Sequence, residues 1–352
     1  MSEKILMRGN HAIGEAAVLA GCRFYAGYPI TPQNELTEYM AEAMSKLNDG
    51  TFIQAESEIA AINMVIGASI AGCRAMTSSS SPGISLKQEG ISFLAAMELP
   101  AVIVNCMRGG PGLGNIAPAQ GDYFQATRGG GHGDYRTIVL APASVQELAD
   151  LTRKAFDYAD IYRTPVMILQ DGMMGQMMEP VVFPKALAVK NLPAKPWKLD
   201  GAKGRPSRVI KSLLLDPHIE EELNWKLDRK YHDISDKIQS AETFLIDDAR
   251  LAVIAYGTSA RIAKGAVIKL REKGLKVGLF RPVTLWPFPK SSLVKTSLIV
   301  NDFLVFEMST GQMVEDVRLS LEGKSRIHFY GRPGGIISTP QEIAEKIQEI
   351  YS

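Results

Sequence analysis

Cysteine is scarce. Cys22, Cys73 and Cys106 are the only three in 352 residues, and no two form a Cys-x-x-Cys pair. An iron–sulfur cluster takes about four thiolates, so this chain alone holds no ordinary cluster, and its cysteines read as small, buried, reduced side chains. An excess of either charge is also missing. Lys and Arg number 39 against 38 Asp and Glu, a net charge of +1, which offers no pull toward nucleic acid or an anionic membrane. No apolar run nears the ~20 residues of a membrane span. The start, Met1-Ser2-Glu3-Lys4-Ile5, leads into no secretory signal. The expectation is a cytoplasmic protein. The five histidines lack metal-ligand spacing, so no metal site is expected on this chain. Phosphate-loop motifs fail as well. Gly110, Gly112 and Gly114 are followed by Asn115 where G-x-G-x-x-G needs glycine, and the run from Gly129 meets Asp134 at that place. With no Walker sequence either, dinucleotide and P-loop binding are disfavoured.

What is present is a mixture of strand-like and helix-like segments long enough for two domains. Short apolar strands are expected at 23–26, 52–55, 74–77, 101–104, 137–140 and 166–169, with helical periodicity over 33–44, along Ile59, Ile62, Ile66 and Ile70, and over 144–160. The segment 101–104 does not alternate, as expected of a parallel strand covered on both faces. This pattern predicts a doubly wound parallel sheet in residues 1–185. Prolines 180, 184, 193, 196, 206 and 217 and charged runs such as Glu220-Glu221-Glu222 interrupt it, so 186–249 reads as a linker with some helix. A second α/β unit occupies 250–352, with strands at 251–256, 276–280, 304–307 and 327–330. Its helix, 261–273, ends at Gly274.

Ligands of open parallel sheets bind at the carboxyl ends of strands. In the first unit those ends carry Gly27-Tyr28-Pro29-Ile30-Thr31-Pro32, Glu56-Ser57-Glu58, Thr77-Ser78-Ser79-Ser80-Ser81-Pro82-Gly83 and Arg108-Gly109-Gly110-Pro111-Gly112-Leu113-Gly114. Each has a plain structural reading. Thr31 suits a helix N-cap before proline, and Glu58 suits the positive end of a helix dipole. The serines suit a solvated turn. Arg108 suits a surface ion pair, or anion recognition beside glycine backbone.

Taken together, these segments resemble the α subunits of 2-oxoacid:ferredoxin oxidoreductases. The resemblance runs through 21–32, Glu56 to Ala61, Ile66 to Ser69, Thr77 to Gln88 and Arg108 to Pro111. It continues through Tyr256-Gly257-Thr258 and the run from Phe280 to Pro289, which resemble a transketolase C-terminal-like domain. It covers nearly the whole chain and is weakest over 185–249.

The implied fold is α/β: a pyrimidine-type thiamine-diphosphate-binding sheet plus that second domain. The implied cofactor is thiamine pyrophosphate, shared with a β subunit. Glu58, nine residues before Gly67, would bond the aminopyrimidine N1′ and promote its imino tautomer; Glu56 does not fit that spacing. Thr31 and Arg108 would hold the 2-oxoacid, and Tyr28, Pro29, Ile30, Ser80 and Ser81 would line the cofactor. The chain has Gln170-Asp171-Gly172 where a diphosphate site carries Gly-Asp-Gly, and no Asn-Asn. Mg2+ and the diphosphate are therefore expected on the β subunit. [4Fe-4S] clusters are expected on β and on a ferredoxin-like δ subunit, with a γ subunit completing the complex, coenzyme A taking the acyl group and ferredoxin the electrons. Gln33-Asn34 and the glycines of 128–133 resemble the branched-chain (2-oxoisovalerate) members. The alternatives are the same role with 2-oxoglutarate, a non-catalytic structural subunit, and a stand-alone nucleotide-binding module.

Overall fold

The computed structural model describes residues 4–186, 192 and 194–351. Met1-Ser2-Glu3, Pro193 and part of the expected linker (187–191) lie outside the described residues. In chain order the strands are β1 (Ile5–Arg8), β2 (Phe24–Gly27), β3 (Thr51–Gln54), β4 (Ala75–Ser79), β5 (Ala101–Met107), β6 (Ile138–Leu140), β7 (Pro165–Asp171), β8 (Met178–Val181), β9 (Ala241–Phe244), β10 (Leu251–Ile254), β11 (Val277–Pro282), β12 (Thr284–Trp286), β13 (Asp302–Glu307) and β14 (Arg326–Gly331). The helices are α1 (Gly9–Leu19), α2 (Asn34–Ser45), α3 (Glu58–Ile70), α4 (Ser81–Ala96), α5 (Tyr123–Thr127), α6 (Val145–Tyr162), α7 (Gly172–Gln176), α8 (Pro217–Ile238), α9 (Gly257–Glu272), α10 (Lys290–Ser297), α11 (Met313–Leu321) and α12 (Pro340–Tyr351).

The larger sheet has the order β12-β6-β7-β5-β4-β2-β3. It is parallel except for β12, which runs antiparallel to β6. Strands β5 and β7 are buried along their whole length, which is why Val102-Ile103-Val104 does not alternate: helices cover both faces. Helix α1 packs with α2 and α6, and α3 packs with α4. The second sheet, β14-β13-β10-β11-β9, is parallel except at β9.

Two features of the stretch 186–249 come from tertiary pairing. Strand β9 joins the second sheet beside β11. Helix α8 buries Leu227, Tyr231, Ile234 and Ile238, one stripe at helical spacing, and Tyr231 meets Trp286 edge-on at 5.7 Å. The units are also stitched directly. Gln120 donates to the Tyr256 carbonyl at 2.9 Å and accepts from Ser259 at 2.7 Å, and Thr258 donates to Asp171 at 2.9 Å. Arg281 pairs with Glu147 at 2.8 Å.

The amino ends of the larger sheet are closed by a strap. Leu199 N–H donates to the Ile70 carbonyl at 2.9 Å, and Lys195 pairs with Asp160 at 2.8 Å. Beneath it Arg74, 3% exposed, binds Asp160 and Asp157 at 2.8 Å each and the Ala20 carbonyl at 2.7 Å. With that end sealed, the carboxyl ends remain for function. Among the described residues no helix is long and apolar enough to cross a membrane.

Candidate active site

The chain leaves β2, forms β3 on one side, then crosses back to place β4 on the other. The loops after β2 and β4 diverge and leave a crevice at this reversal, the place where open parallel sheets take ligands. The loop after β5 closes its far side.

Arg108 ties these loops together. One Nη donates to the Thr31 carbonyl and the other to the Leu113 carbonyl, both at 2.9 Å. Its backbone N–H donates to Ser81 Oγ at 3.0 Å. Ser81 in turn donates to Asp122 at 2.6 Å, and Asn105 donates to the same carboxylate oxygen at 2.9 Å. Burial pushes the Asp122 carboxyl above its usual range, opposed by those two bonds. Arg108 is 6% exposed, and its Nε is buried with no partner. A guanidinium carries five N–H groups, so the Nε edge keeps donors free for an incoming carboxylate.

Thr31 is exposed and is not a helix cap: α2 is capped at Gln33, and Asn34 donates to the Thr31 hydroxyl at 3.4 Å. Pro29 is exposed, Ile30 half-buried and Tyr28 37% exposed. Their loop is fixed from below. Gln33 donates to the Tyr28 carbonyl at 3.1 Å, and its amide oxygen accepts from Thr37 at 3.0 Å and from Ser78 at 2.5 Å. Tyr25 OH meets Ser78 at 2.6 Å. This buried polar network specifies one loop conformation, since an unpaired member in a low dielectric is costly.

Glu58 opens α3, with Ser57 capping the helix by accepting from Ala60 N–H at 3.2 Å. The Glu58 side chain is 6% exposed. It lies against Gly83 and Ser79: a Cβ on Gly83 would stand 2.6 Å from Glu58 Oε1 and 2.1 Å from Ser79 Oγ. No hydrogen bond reaches its carboxylate among the described residues. The hydroxyls of Ser79 and Ser80 are buried and equally without partners. The crevice thus gathers a carboxylate, two hydroxyls and a guanidinium edge whose bonding capacity is unfilled. Buried polar groups are nearly always satisfied, and Ser79 Oγ, Ser80 Oγ and Arg108 Nε are buried without a partner among the described residues.

Of the residues expected from the sequence, Arg108 is joined to the Thr31 carbonyl and to Ser81, Glu58 lies against the turn at Gly83 with Ser79, Ser80, the residue after Ser79, is buried, and the Ser81 hydroxyl is taken by Asp122 and Arg108. Asp171 is engaged elsewhere through its Oδ1: it caps α7 by accepting from Met173 and Met174 N–H and also takes the Thr258 hydroxyl. Ser79, Asn105, Asp122 and Lys87 were not anticipated. Lys87 had a signal, since it falls on the Ile84, Lys87, Ile91, Leu94 face of α4, a cation in an apolar stripe.

Residues 15–243 match the family described as pyruvate flavodoxin/ferredoxin oxidoreductase, thiamine diP-bdg, and residues 249–343 match pyruvate:ferredoxin oxidoreductase core domain II. The chain belongs to the 2-oxoacid:ferredoxin oxidoreductase family. Among oxidoreductase relatives, the ketoisovalerate oxidoreductase subunit VorB of Methanothermobacter thermautotrophicus is 48% identical over 345 residues, 98% of this chain and 97% of that protein. The 2-oxoglutarate synthase subunit KorA of Methanocaldococcus jannaschii is 39% identical, covering 97% and 98%. A solved structure, the 2-oxoglutarate:ferredoxin oxidoreductase from Magnetococcus marinus with 2-oxoglutarate, coenzyme A and succinyl-CoA bound, superposes with a TM-score of 0.87 at 28% identity; the match spans all of this chain and 66% of that one. The α/β class is that of this oxidoreductase family.

Proposed function

We propose that this chain supplies the aminopyrimidine half of a thiamine-diphosphate site in an oxidoreductase that decarboxylates a branched-chain 2-oxoacid such as 2-oxoisovalerate. The observation that carries the proposal is Glu58, 6% exposed and with no hydrogen bond to its carboxylate among the described residues, beside Ser79, whose hydroxyl, like that of Ser80, is buried and unpartnered. A pyrimidine ring with its N1′ toward Glu58 satisfies that donor–acceptor set. Thiamine diphosphate, when bound, supplies the nucleophilic carbon and electron sink for decarboxylation.

The chain's own residues have defined tasks. Glu58 accepts or returns a proton at N1′, and the backbone of Gly83 keeps water from its flank. Tyr28, Pro29 and Ile30 form the loop against the ring, and Ser80 offers it a free hydroxyl. Arg108 presents its Nε edge to the substrate carboxylate. Its bond to the Thr31 carbonyl holds the exposed Thr31 hydroxyl in the same region.

The diphosphate and Mg2+ belong on a β subunit in this reading, because Asp171 is consumed by capping. The surface around the site supports a partner. Leu113 (78% exposed), Ile116, Leu86, Ile59 and Tyr28 are exposed apolar side chains on the loops and first helical turns that follow β2, β3, β4 and β5, surface that a partner subunit would cover in this reading. Gly67 lies on the same exposed side of α3 as Ile59, and nothing in the chain lies within 4 Å of where its Cβ would be. A helix-interior glycine costs about 1 kcal/mol relative to alanine, and close approach of another subunit explains it. The clusters belong on β and a ferredoxin-like δ subunit, with γ completing a cytoplasmic complex that uses coenzyme A and ferredoxin.

The test is reconstitution with partner subunits and 2-oxoacid-dependent reduction of ferredoxin. Glu58→Gln is expected to lower turnover by about 10²–10⁴-fold with assembly intact; undiminished turnover contradicts the proposal and favours a structural subunit. The names of the 39% and 28% identical proteins favour 2-oxoglutarate as the second reading, and turnover of the two acids side by side decides it.

A further inference from the structure

Lys87 is the one lysine among the largest fully buried side chains. It projects from the second turn of α4 into the space between α3 and β4. Its Nζ donates to Thr77 Oγ1 at 3.1 Å and to the main-chain carbonyl of Glu58 at 3.3 Å. An ammonium has three donors, and no third hydrogen-bond acceptor is found among the described residues. The Glu58 side chain, on the residue whose carbonyl Lys87 grips, is the charged group that acts on it among the described residues. Thr77 from β4 and Ile62 of α3, which packs on Gly90 of α4, bring no charge.

We propose that Lys87 is a positioning residue for Glu58: a sealed cation that fixes the first turn of α3 and serves as the charge partner of the Glu58 side chain. The proposal deepens the reading of Glu58 given above and rests on it. Packing alone does not call for a lysine here, since the stripe formed by Ile84, Ile91 and Leu94 would be completed by methionine of similar length without burying a charge. Burial lowers the Lys87 ammonium to about 8, and the Glu58 charge works against that fall. The Glu58 charge therefore supports the Lys87 ammonium before any ligand arrives. The carboxylate that must take a proton at a pyrimidine nitrogen is matched from behind by Lys87, on the protein side of the site. Loss of the cation releases the Glu58 carbonyl and with it the first turn of α3 that carries the carboxylate.

The pair is tested without cofactor by NMR titration of the full chain labelled at lysine Cε, the Lys87 signal being assigned by its loss in Lys87→Arg. The expected midpoint lies near 8 and falls by ~0.5 unit or more in Glu58→Gln, since the opposite charge that supports the ammonium is gone. In the reconstituted complex, Lys87→Met is expected to lower kcat by about 10-fold or more with KM little changed, while Lys87→Arg, which keeps donors toward the Glu58 carbonyl, restores it toward the wild-type value. If Lys87→Met does not fold, the Glu58→Gln titration and the turnover of Lys87→Arg still decide. An unmoved midpoint with lost turnover in Glu58→Gln overturns the pairing and leaves the role of Glu58 standing. A moved midpoint with full turnover overturns that role, and with it the catalytic purpose of the pair.

Discussion

Gly83 offers a graded probe of how closely the site is built. It lies in the first turn of α4, and an alanine Cβ there would sit 2.1 Å from Ser79 Oγ, 2.6 Å from Glu58 Oε1 and 3.1 Å from Glu58 Cγ. The Ser79 hydroxyl can swing to another rotamer. Ordinary contact begins near 3.4 Å, so the carboxylate must retreat by about 0.8 Å. Helix α4 cannot retreat instead, because the Ser81 N–H is bonded to Asn105 and its hydroxyl to Asp122. Overpacking of this kind costs roughly 1–3 kcal/mol, offset by about 1 kcal/mol from the better helix propensity of alanine. Melting should fall by only a few degrees. Catalysis should suffer far more, since a misplacement of about 1 Å costs on the order of 10²-fold. Paired measurement of thermal unfolding and 2-oxoacid-dependent turnover in the reconstituted complex reads both effects. Gly83→Ala with full turnover would refute the placement of Glu58 at the reacting end of the crevice.

Arg74→Met should destabilise the chain in chemical denaturation by no more than about 3–5 kcal/mol, because it leaves the buried Asp160 carboxylate with Lys195 as its remaining cation, without a direct effect on the crevice at the opposite end of the sheet. Lys87 gives a pH signature. Its folded-state pKa, about 8, lies below the ordinary 10.5, so the unfolded chain binds the extra proton between those values and stability rises with pH across that window. The wild-type deficit relative to Lys87→Met should shrink by about 3 kcal/mol from pH 8 to 10.5, and parallel pH–stability curves would show that Lys87 is not desolvated. Leu113→Ser with Ile116→Ser should weaken capture of partner subunits in a pull-down while leaving the melting temperature of the chain within a degree or so, as expected of exposed side chains. Gly67→Ala should raise the melting temperature of the isolated chain yet lower its affinity for those subunits; equal affinity would remove the argument for close approach at α3.

Much of the larger sheet is visible in the residue pattern because a strand covered on both faces carries an unbroken apolar run, as β5 does from Ala101 to Val104, and because the polar loops fall at strand ends. The strand β1 is not visible. Ile5 and Leu6 are exposed, and the strand exists only because it meets β8 more than 170 residues later. Strand β12 is hidden for the same reason: three residues of the second unit edge the first sheet, and no local pattern says which sheet a strand joins. In the site, Glu58 and Arg108 could be singled out by residue type and position. The unpartnered state of Ser79 and Ser80, the diversion of the Ser81 hydroxyl to Asp122, and the use of Asp171 as a helix cap are properties of packing. Lys87 lies between these cases: its helical spacing announced burial, but only the coordinates show which carbonyl it grips.

The most direct test is the structure of the reconstituted complex with thiamine diphosphate. A Glu58 carboxyl oxygen is expected within about 2.6–3.2 Å of the pyrimidine N1′, with Arg108 beside the substrate position and the diphosphate held by a partner subunit. A pyrimidine resting on Glu56, or a diphosphate bound through Asp171 of this chain, would contradict it.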